Sequence, residues 1–564
     1  MISSDKETVQ LLVEQCVSHG VKHVVCSPGS RNAPLVIAFD EHPEIECLVI
    51  HDERSAAFFA LGITQQTNAP VAIVCTSGSA PLNYYPAVAE AYYQGLPLIV
   101  ITADRPMEWT DQGDGQTIRQ REVFQNHVRY SCNFTESTYH PDERWYIERE
   151  TAIALSMANG QWKGPVHFNV ALREPLYETQ NVPSRFETRS IEMVNVGFAP
   201  DDTTLNLLLE GMSTTKKLVL VGQLPPDQSL LHELSLFAGD SSVAVLVENT
   251  SNLVGQKFIH CIDRALNTIL PEQIEEYRPE LLITLGGAVV SKRVKNFLRN
   301  HKPMMHWKVG FSFPYMDTYQ ALSHSFQVSP HEFFRTLNKL VYERSKSNFA
   351  GKWRQIDQLN KHKASEFLKS APFSDLQIFH NALDVLPEGV HLHMGNSSVV
   401  RYCQLLDPIR SVTYWCNRGT SGIDGSTSTA VGAAFASPDQ IHVLLTGDVS
   451  FFYDSNGLWN SYVGRNLRII LINNGGGGIF RIIPGPAQSP KLEKYFEARH
   501  DFTARGICDA YRLEYDFVTS NDNLESKLEK LFGEAVNGPY LLEVFTQDAE
   551  NSQVLESFFK FIRL

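Results

Sequence analysis

The 564-residue sequence has nine cysteines, an odd number, and no Cys-x-x-Cys pair among them. That spacing excludes the usual zinc frames and argues against a disulfide scaffold; the thiols read as small buried hydrophobes of a reducing cytosol. Basic charge is also short. Lys and Arg total 49 against 63 Asp and Glu, a net charge of −14, so no cationic field exists to displace counterions from nucleic acid. No apolar run approaches a membrane span, and Met1-Ile-Ser-Ser-Asp-Lys lacks the apolar core of a signal peptide. There is no Gly-x-Ser-x-Gly elbow and no Gly-Lys-Ser/Thr phosphate loop, which removes serine-elbow hydrolases and P-loop enzymes. What remains is a cytoplasmic globular protein, 43% hydrophobic and 20% charged, long enough for three or four domains.

The hydrophobic pattern divides the chain into three blocks, 1–185, 195–345 and 370–564. In the first, Ser4-x-x-Glu7 reads as a capping box before Val9, Leu12, Val13, Cys16 and Val17, one face of a helix stopped by Gly20. Short apolar runs at 22–26, 48–51, 71–75 and 98–102 alternate with helix-compatible stretches. The second block has strand candidates at 218–221, 243–247 and 281–285, the third at 390–393, 442–445, 467–472 and 540–544. Strands filled on both faces and alternating with helices predict α/β architecture with three doubly wound parallel sheets. Gln180-Asn-Val-Pro-Ser-Arg-Phe reads as a linker, and the Lys-rich stretch 342–370 as a helical connector.

One theme recurs in the outer blocks: an apolar strand followed by a Ser/Gly-rich turn. It occurs as Ser27-Pro-Gly-Ser30, Thr76-Ser-Gly-Ser79, Gly395-Asn-Ser-Ser398, Gly447-Asp-Val-Ser450 and Asn473-Asn-Gly-Gly476. Small residues let backbone N–H groups approach a ligand at strand ends, where α/β sheets bind theirs. The residues between Ser450 and Ile472 allow one helix and one strand, with Leu458, Trp459, Tyr462 and Val463 as the helix face and Gly464 as its stop. Asp448 and Asn474 would then sit at neighbouring strand ends, an oxygen pair suited to a hard divalent cation. A helix cap at Asp448 and a plain turn at 473–474 are the alternative. Glu53 is the acid placed to project from the second strand-to-helix junction into an apolar setting, where burial favours a protonated carboxyl able to share a hydrogen bond. Otherwise it complements the helix dipole, a role Asp52 could fill alone.

Gly447-Asp448 followed by Asn473-Asn474 resembles the thiamine diphosphate motif. That resemblance implies a thiamine diphosphate-binding fold with a Mg²⁺ or Mn²⁺ ion held by Asp448, Asn474 and the carbonyl of Gly476. It also implies that Glu53 is the catalytic acid hydrogen-bonded to the aminopyrimidine ring. Val449 stands where the motif often has glycine, a change that keeps the backbone donor.

Residues 27–35, 51–62, 76–83, 102–106, 417–425 and 473–480 together resemble the 2-succinyl-5-enolpyruvyl-6-hydroxy-3-cyclohexene-1-carboxylate synthases of menaquinone biosynthesis. The resemblance implies decarboxylation of 2-oxoglutarate and transfer of the succinyl carbanion equivalent to isochorismate. Both substrates are dicarboxylates, so an acidic protein must gather cations locally, and guanidinium matches carboxylate in a fork. Arg31, Arg105, Arg401, Arg418 and Lys292 are the anion-binding set, with Ser30 and Gln116 as neutral donors. Gly115 departs from the asparagine that relatives carry before that glutamine. Asn396, Ser397 and Ser450 are implied at the diphosphate, Ile423 as the wedge that bends the cofactor, and Ile479 and Phe480 as pocket lining; plain core packing competes for the last three. The family further implies a homodimer or homotetramer whose sites lie between the first block of one chain and the third block of another. Rival readings are an acetohydroxyacid synthase or 2-oxo-acid decarboxylase, which the cationic cluster disfavours, and a non-catalytic nucleotide binder using Gly286-Gly287.

Overall fold

The structure is a computed structural model that describes every residue except 184–187, 192, 195, 343–345, 483–484, 534–535 and 564, and the side chain of residue 548. Three parallel sheets of six strands each carry the chain. The first contains His23–Cys26, Glu46–Val49, Val71–Cys75, Leu98–Asp104, Tyr130–Thr135 and Val166–Ala171. The middle sheet contains Lys217–Val221, Val243–Val247, Phe258–Ile259, Leu281–Leu285, Met305–Val309 and His324–Phe326. The third contains His391–Met394, Thr413–Trp415, His442–Gly447, Leu467–Asn473, Glu514–Val518 and Tyr540–Phe545.

Numbered along the chain within each sheet, the strands of the first lie side by side in the order 2-1-3-4-6-5, and the third repeats that order. The middle sheet is different: 3-2-1-4-5-6, the dinucleotide-fold order. Both faces of each sheet are buried, and the alternation is visible in single strands. Val219 and Val221 enter one core of the middle sheet, Leu218 and Leu220 the other.

The chain folds into two compact units, one of Met1–Asn195, Asn417–His442 and Ser450–Leu467, the other of Val196–Cys416, Val443–Val449 and Arg468–Leu564. In the first unit the helix Glu53–Thr67 lies directly on the helix Ser426–Ala436. A Cβ at Gly62 would sit 2.1 Å from the carbonyl of Thr429, and one at Gly432 would sit 2.0 Å from the carbonyl of Phe59. These two helices touch backbone to backbone, which only glycine permits.

Three local expectations need correction. Ser4 is not a helix cap: it ends the strand Ile2–Ser4, paired antiparallel with Thr179–Asn181. The helix therefore starts later, at Glu7–Ser18 with Lys6 at its N-cap, and the Glu7 carboxylate accepts from Arg144 at 2.7 Å. The same pairing takes Gln180 and Asn181 out of the expected linker, while 184–186 of that linker lie outside the described residues. Finally, no helix covers 458–463. The helix begins at Asp448 and ends at Tyr453, followed by a 3-10 turn at Ser455–Leu458. The apolar spacing there arises from docking within the first unit: Trp459 stacks on His51 at 5.1 Å, and Tyr462 packs near Phe59 while its hydroxyl accepts the Val49 N–H at 2.9 Å. The connector is helical, Phe349–Leu368, with Trp353 fully buried.

Candidate active site

At the third sheet, the ends of strands 1, 3 and 4 carry Asn396-Ser397, Asp448 and Asn474. Strands 1 and 3 flank the point where strand order reverses, the ligand crevice of an α/β sheet. Asp448 is 2% exposed. One carboxylate oxygen accepts the Val449 N–H at 2.6 Å, and the other accepts the N–H groups of Gly475 and Gly476, each at 2.9 Å. Burial raises its pKa; those backbone donors and His500, 3.4 Å away, act the other way. Val449 thus supplies the backbone donor that its substitution for glycine left intact.

Asn474 donates its amide N–H to Asp375 at 3.2 Å, which turns its carbonyl oxygen elsewhere. Asp375 is buried, and its carboxyl is pushed up to about 6 by that burial, with Asp448 adding to the rise and hydrogen bonds from Thr546 and Asn474 opposing it. The preceding Asn473 has a different job, donating to Glu543 at 2.7 Å and to the Phe502 carbonyl at 2.9 Å. Gly475 and Gly476 have φ of +79° and +152°, and a Cβ at 476 would lie 2.6 Å from the Glu497 carbonyl. The loop can therefore close on Asp448 only as glycine.

This oxygen set fits a hard divalent cation. Among the described residues no three His, Cys, Asp or Glu side chains converge on a metal-sized point, so the donors available at this loop are one carboxylate, one amide carbonyl and the Gly476 carbonyl. Ser397 is in the left-handed region at φ +71° as N-cap of Ser398–Cys403, a strained conformation of the kind found where backbone meets ligand. Asn396 is buried and accepts from the Cys416 thiol at 3.6 Å.

The first sheet ends in cations. Arg31 is 6% exposed; it donates to the Leu172 carbonyl at 3.0 Å and to Glu174 at 3.1 Å. Burial and the neighbouring Arg105 lower its pKa. Arg105 is held by Asp114 at 3.3 Å and by the carbonyl of Gly115 at 3.2 Å, so Gly115 contributes through its backbone. Ser30 pairs with the Tyr177 hydroxyl at 3.0 Å. Gln116, at φ +54°, passes so close to Gly78 that a Cβ there would be 3.2 Å from its backbone. Ser30, Arg31, Arg105 and Gln116 are thus gathered around the same strand ends.

Glu53 is the first residue of its helix, and Asp52 is the N-cap, accepting the Ser55 N–H at 3.2 Å. Glu53 is half-buried, and desolvation raises its pKa, opposed by its own backbone N–H and assisted by Asp52. Its neighbours are bolted down: Asp52 accepts from Asn456 at 2.8 Å, and Arg54 donates to the Tyr453 carbonyl at 2.8 Å.

Three family models match the chain: "Thiamine pyrophosphate enzyme, N-terminal TPP binding domain" over residues 6–133, "Middle domain of thiamine pyrophosphate" over 202–394, and "Thiamine pyrophosphate enzyme, C-terminal TPP binding domain" over 393–544. The 2-succinyl-5-enolpyruvyl-6-hydroxy-3-cyclohexene-1-carboxylate synthase of Flavobacterium johnsoniae is 45% identical over 563 residues, 98% of each chain. Synthases of the same name from Flavobacterium psychrophilum and Porphyromonas gingivalis are 43% identical over 555 residues (98% of each) and 38% over 568 (99% of this chain, 98% of the relative). The chain belongs to this synthase family. It is a thiamine diphosphate enzyme with the α/β parallel-sheet fold that the family resemblance implied.

The remaining synthase-family positions fall into the two units. In the first, Arg418 is 7% exposed and Ser450 donates to the Ile423 carbonyl at 3.0 Å, so the expected diphosphate serine and the expected wedge are joined. In the second, Arg401 donates to the Ser397 carbonyl and faces Asp263, which also accepts from Ser291 beside the exposed Lys292. Ile479 is buried, whereas Phe480 is half-buried against Phe496 at 5.8 Å. The middle glycines do something else. A Cβ on Gly222 would lie 2.1 Å from the Gly287 carbonyl, and Gly222, Gln223 and Gly287 exchange backbone hydrogen bonds with 285, 288 and 223 at 2.8–3.2 Å.

Sequence reasoning missed Asp375, His500 and Glu90. Asp375 lies 99 residues from the Asn474 it orients, and no local spacing signals such a partner.

Proposed function

We propose that the chain condenses 2-oxoglutarate with isochorismate, releasing CO₂ and forming 2-succinyl-5-enolpyruvyl-6-hydroxy-3-cyclohexene-1-carboxylate for menaquinone biosynthesis. The observation that supports this reading most is the cationic strand ends of the first sheet, Arg31 beside Arg105, in a protein of net charge −14. A small uncharged acceptor, as in the acetohydroxyacid synthase or decarboxylase readings, has no use for them.

When bound, thiamine diphosphate supplies the nucleophilic ring carbon and the electron sink for decarboxylation. Asp448, the Asn474 amide oxygen and the Gly476 carbonyl would hold Mg²⁺ or Mn²⁺, and Asn396, Ser397 and Ser450 would hydrogen-bond the diphosphate. Glu53 would hold a proton on its carboxyl and share it with the aminopyrimidine ring, a role that its burial-raised pKa favours. Arg31, Arg105, Arg401, Arg418 and Lys292 bind substrate carboxylates, with Ser30 and Gln116 donating to neutral oxygens. Ile423 would be the wedge that bends the cofactor, and Ile479 and Phe480 would line the substrate pocket.

The working form is a cytoplasmic homodimer or homotetramer with three domains at 1–185, 195–345 and 370–564. Among the described residues no helix is long and apolar enough to cross a membrane. Each site takes Glu53 from one copy and Asp448 from another. The deciding assay supplies thiamine diphosphate, Mg²⁺, 2-oxoglutarate and isochorismate and follows loss of diene absorbance, with each component omitted in turn. Turnover on pyruvate alone, with none on the dicarboxylate pair, would reject the reading. Mixing Glu53→Gln chains with Asp448→Ala chains tests the shared site: mixed assemblies regain part of the activity if sites form between copies.

A further inference from the structure

Glu90 lies in the helix Ala80–Gln94 and is completely buried. One carboxylate oxygen accepts the Gly419 N–H at 2.7 Å and the Gln94 amide at 2.5 Å; the other accepts the Thr420 N–H and hydroxyl, both at 2.6 Å. None of these four donors carries a formal charge. Among the described residues these dipoles are the hydrogen-bond donors to the buried Glu90 carboxyl group, which depends on each of them, and three of the four belong to the two residues that follow Arg418.

The fit is reciprocal. A Cβ at Gly419 would lie 2.6 Å from the Glu90 carbonyl and 3.0 Å from its carboxylate, so the loop reaches the helix only because position 419 is bare. On the loop's other side, the Asn417 amide donates to Thr429 at 2.9 Å. Arg418, itself 7% exposed, is therefore strung between two anchors, with Ile423 on the same loop.

We propose that Glu90 is a positioning residue for substrate binding: its carboxylate sets the backbone on which the Arg418 guanidinium is presented to a substrate carboxylate. The proposal rests on the reading of Arg418 as a substrate-binding residue.

Four variants of the holoenzyme separate the possibilities: Glu90→Gln, Thr420→Val, Arg418→Ala and the double variant Glu90→Gln/Arg418→Ala. The Gln variant keeps size but turns a donor toward the loop N–H groups. It should raise KM for one dicarboxylate about tenfold while kcat changes little, the signature of lost ground-state binding. Thr420→Val, which removes only the hydroxyl, should raise the same KM by about threefold and carries the test if the Gln variant does not fold. Thiamine diphosphate affinity, read by tryptophan fluorescence with Mg²⁺ present, should stay at the wild-type value in both. In the Arg418→Ala background, Glu90→Gln should add less than about twofold, because the two act as one unit. Lowered unfolding temperature with wild-type KM, or fully additive effects, would reduce Glu90 to a packing residue. Arg418→Ala with unchanged KM would instead remove the reading of Arg418, and this proposal with it.

Discussion

The middle and third sheets meet the same geometric opportunity and use it in opposite ways. Each has a strand-order reversal that opens a crevice at the carboxyl ends, and each puts glycines there. In the middle sheet the crevice is consumed by the chain: Gly222 approaches Gly287 until a side chain at 222 has no room, and backbone hydrogen bonds stitch residues 222–223 to 285–288. In the third sheet the glycines at 475–476 turn their N–H groups onto Asp448, and the neighbouring strands bring polar side chains rather than backbone. A glycine-rich crevice is thus not by itself a ligand site. What distinguishes a site is whether the close approach leaves side-chain oxygens facing the opening.

Breaking the third crevice should cost the most. Asp448→Ala should lower turnover about 10³-fold or more, because the proposed cation at the diphosphate would lose its carboxylate, and titration should show thiamine diphosphate binding that no longer responds to Mg²⁺. Gly222→Ala probes the middle crevice. Its Cβ has no room, so thermal or urea unfolding should show a loss of about 3 kcal/mol, while the folded fraction keeps wild-type KM and cofactor affinity. A marked fall in cofactor affinity there would erase the distinction between the crevices.

The first sheet supplies a contrast within the cationic set. Arg105→Lys retains charge but loses the fork, so KM for a dicarboxylate should rise about tenfold with cofactor binding unchanged. The smallest effect concerns stability. Burial raises the Glu53 pKa in the folded state, so the folded chain holds that proton more tightly than the unfolded one. Folding stability is then lost as pH rises from the ordinary glutamate value toward the raised one. Glu53→Gln removes this loss. Unfolding midpoints of variant and wild type should diverge in the variant's favour as pH climbs above about 4.5, the ordinary value, and the gap should become constant above the raised one. A gap that closes with rising pH would mean Glu53 gains a partner in the folded chain that offsets its desolvation.

Much of this was readable in advance, for identifiable reasons. Val71–Cys75, Val243–Val247 and Leu281–Leu285 are fully or nearly fully buried strands, and such strands announce themselves as short apolar runs. The places of Asp448, Asn474 and Glu53 at strand-to-helix junctions were legible because an apolar run followed by a polar turn marks such a junction locally. The expected helix at 458–463 failed because Trp459 and Tyr462 are spaced for docking on His51 and Phe59, not for one helical face. The Ser4 cap failed because a strand 175 residues away claims its backbone. Glu90 was invisible for the same physical reason: its partners lie 329 and 330 residues along the chain, and nothing in a helix reading Ala-Glu-Ala advertises a loop that far off.

The glycine pair at 62 and 432 bears on how such a sequence can be rearranged. Since the helix of Glu53 and the helix after Ile423 meet backbone to backbone at these two points, neither surface can drift without the other. A chimaera that takes its amino-terminal third from one synthase and its carboxy-terminal third from a distant relative should assemble only where both parents keep glycine at these two points. Shuffling at the apparent block boundaries would cut through an inseparable pair.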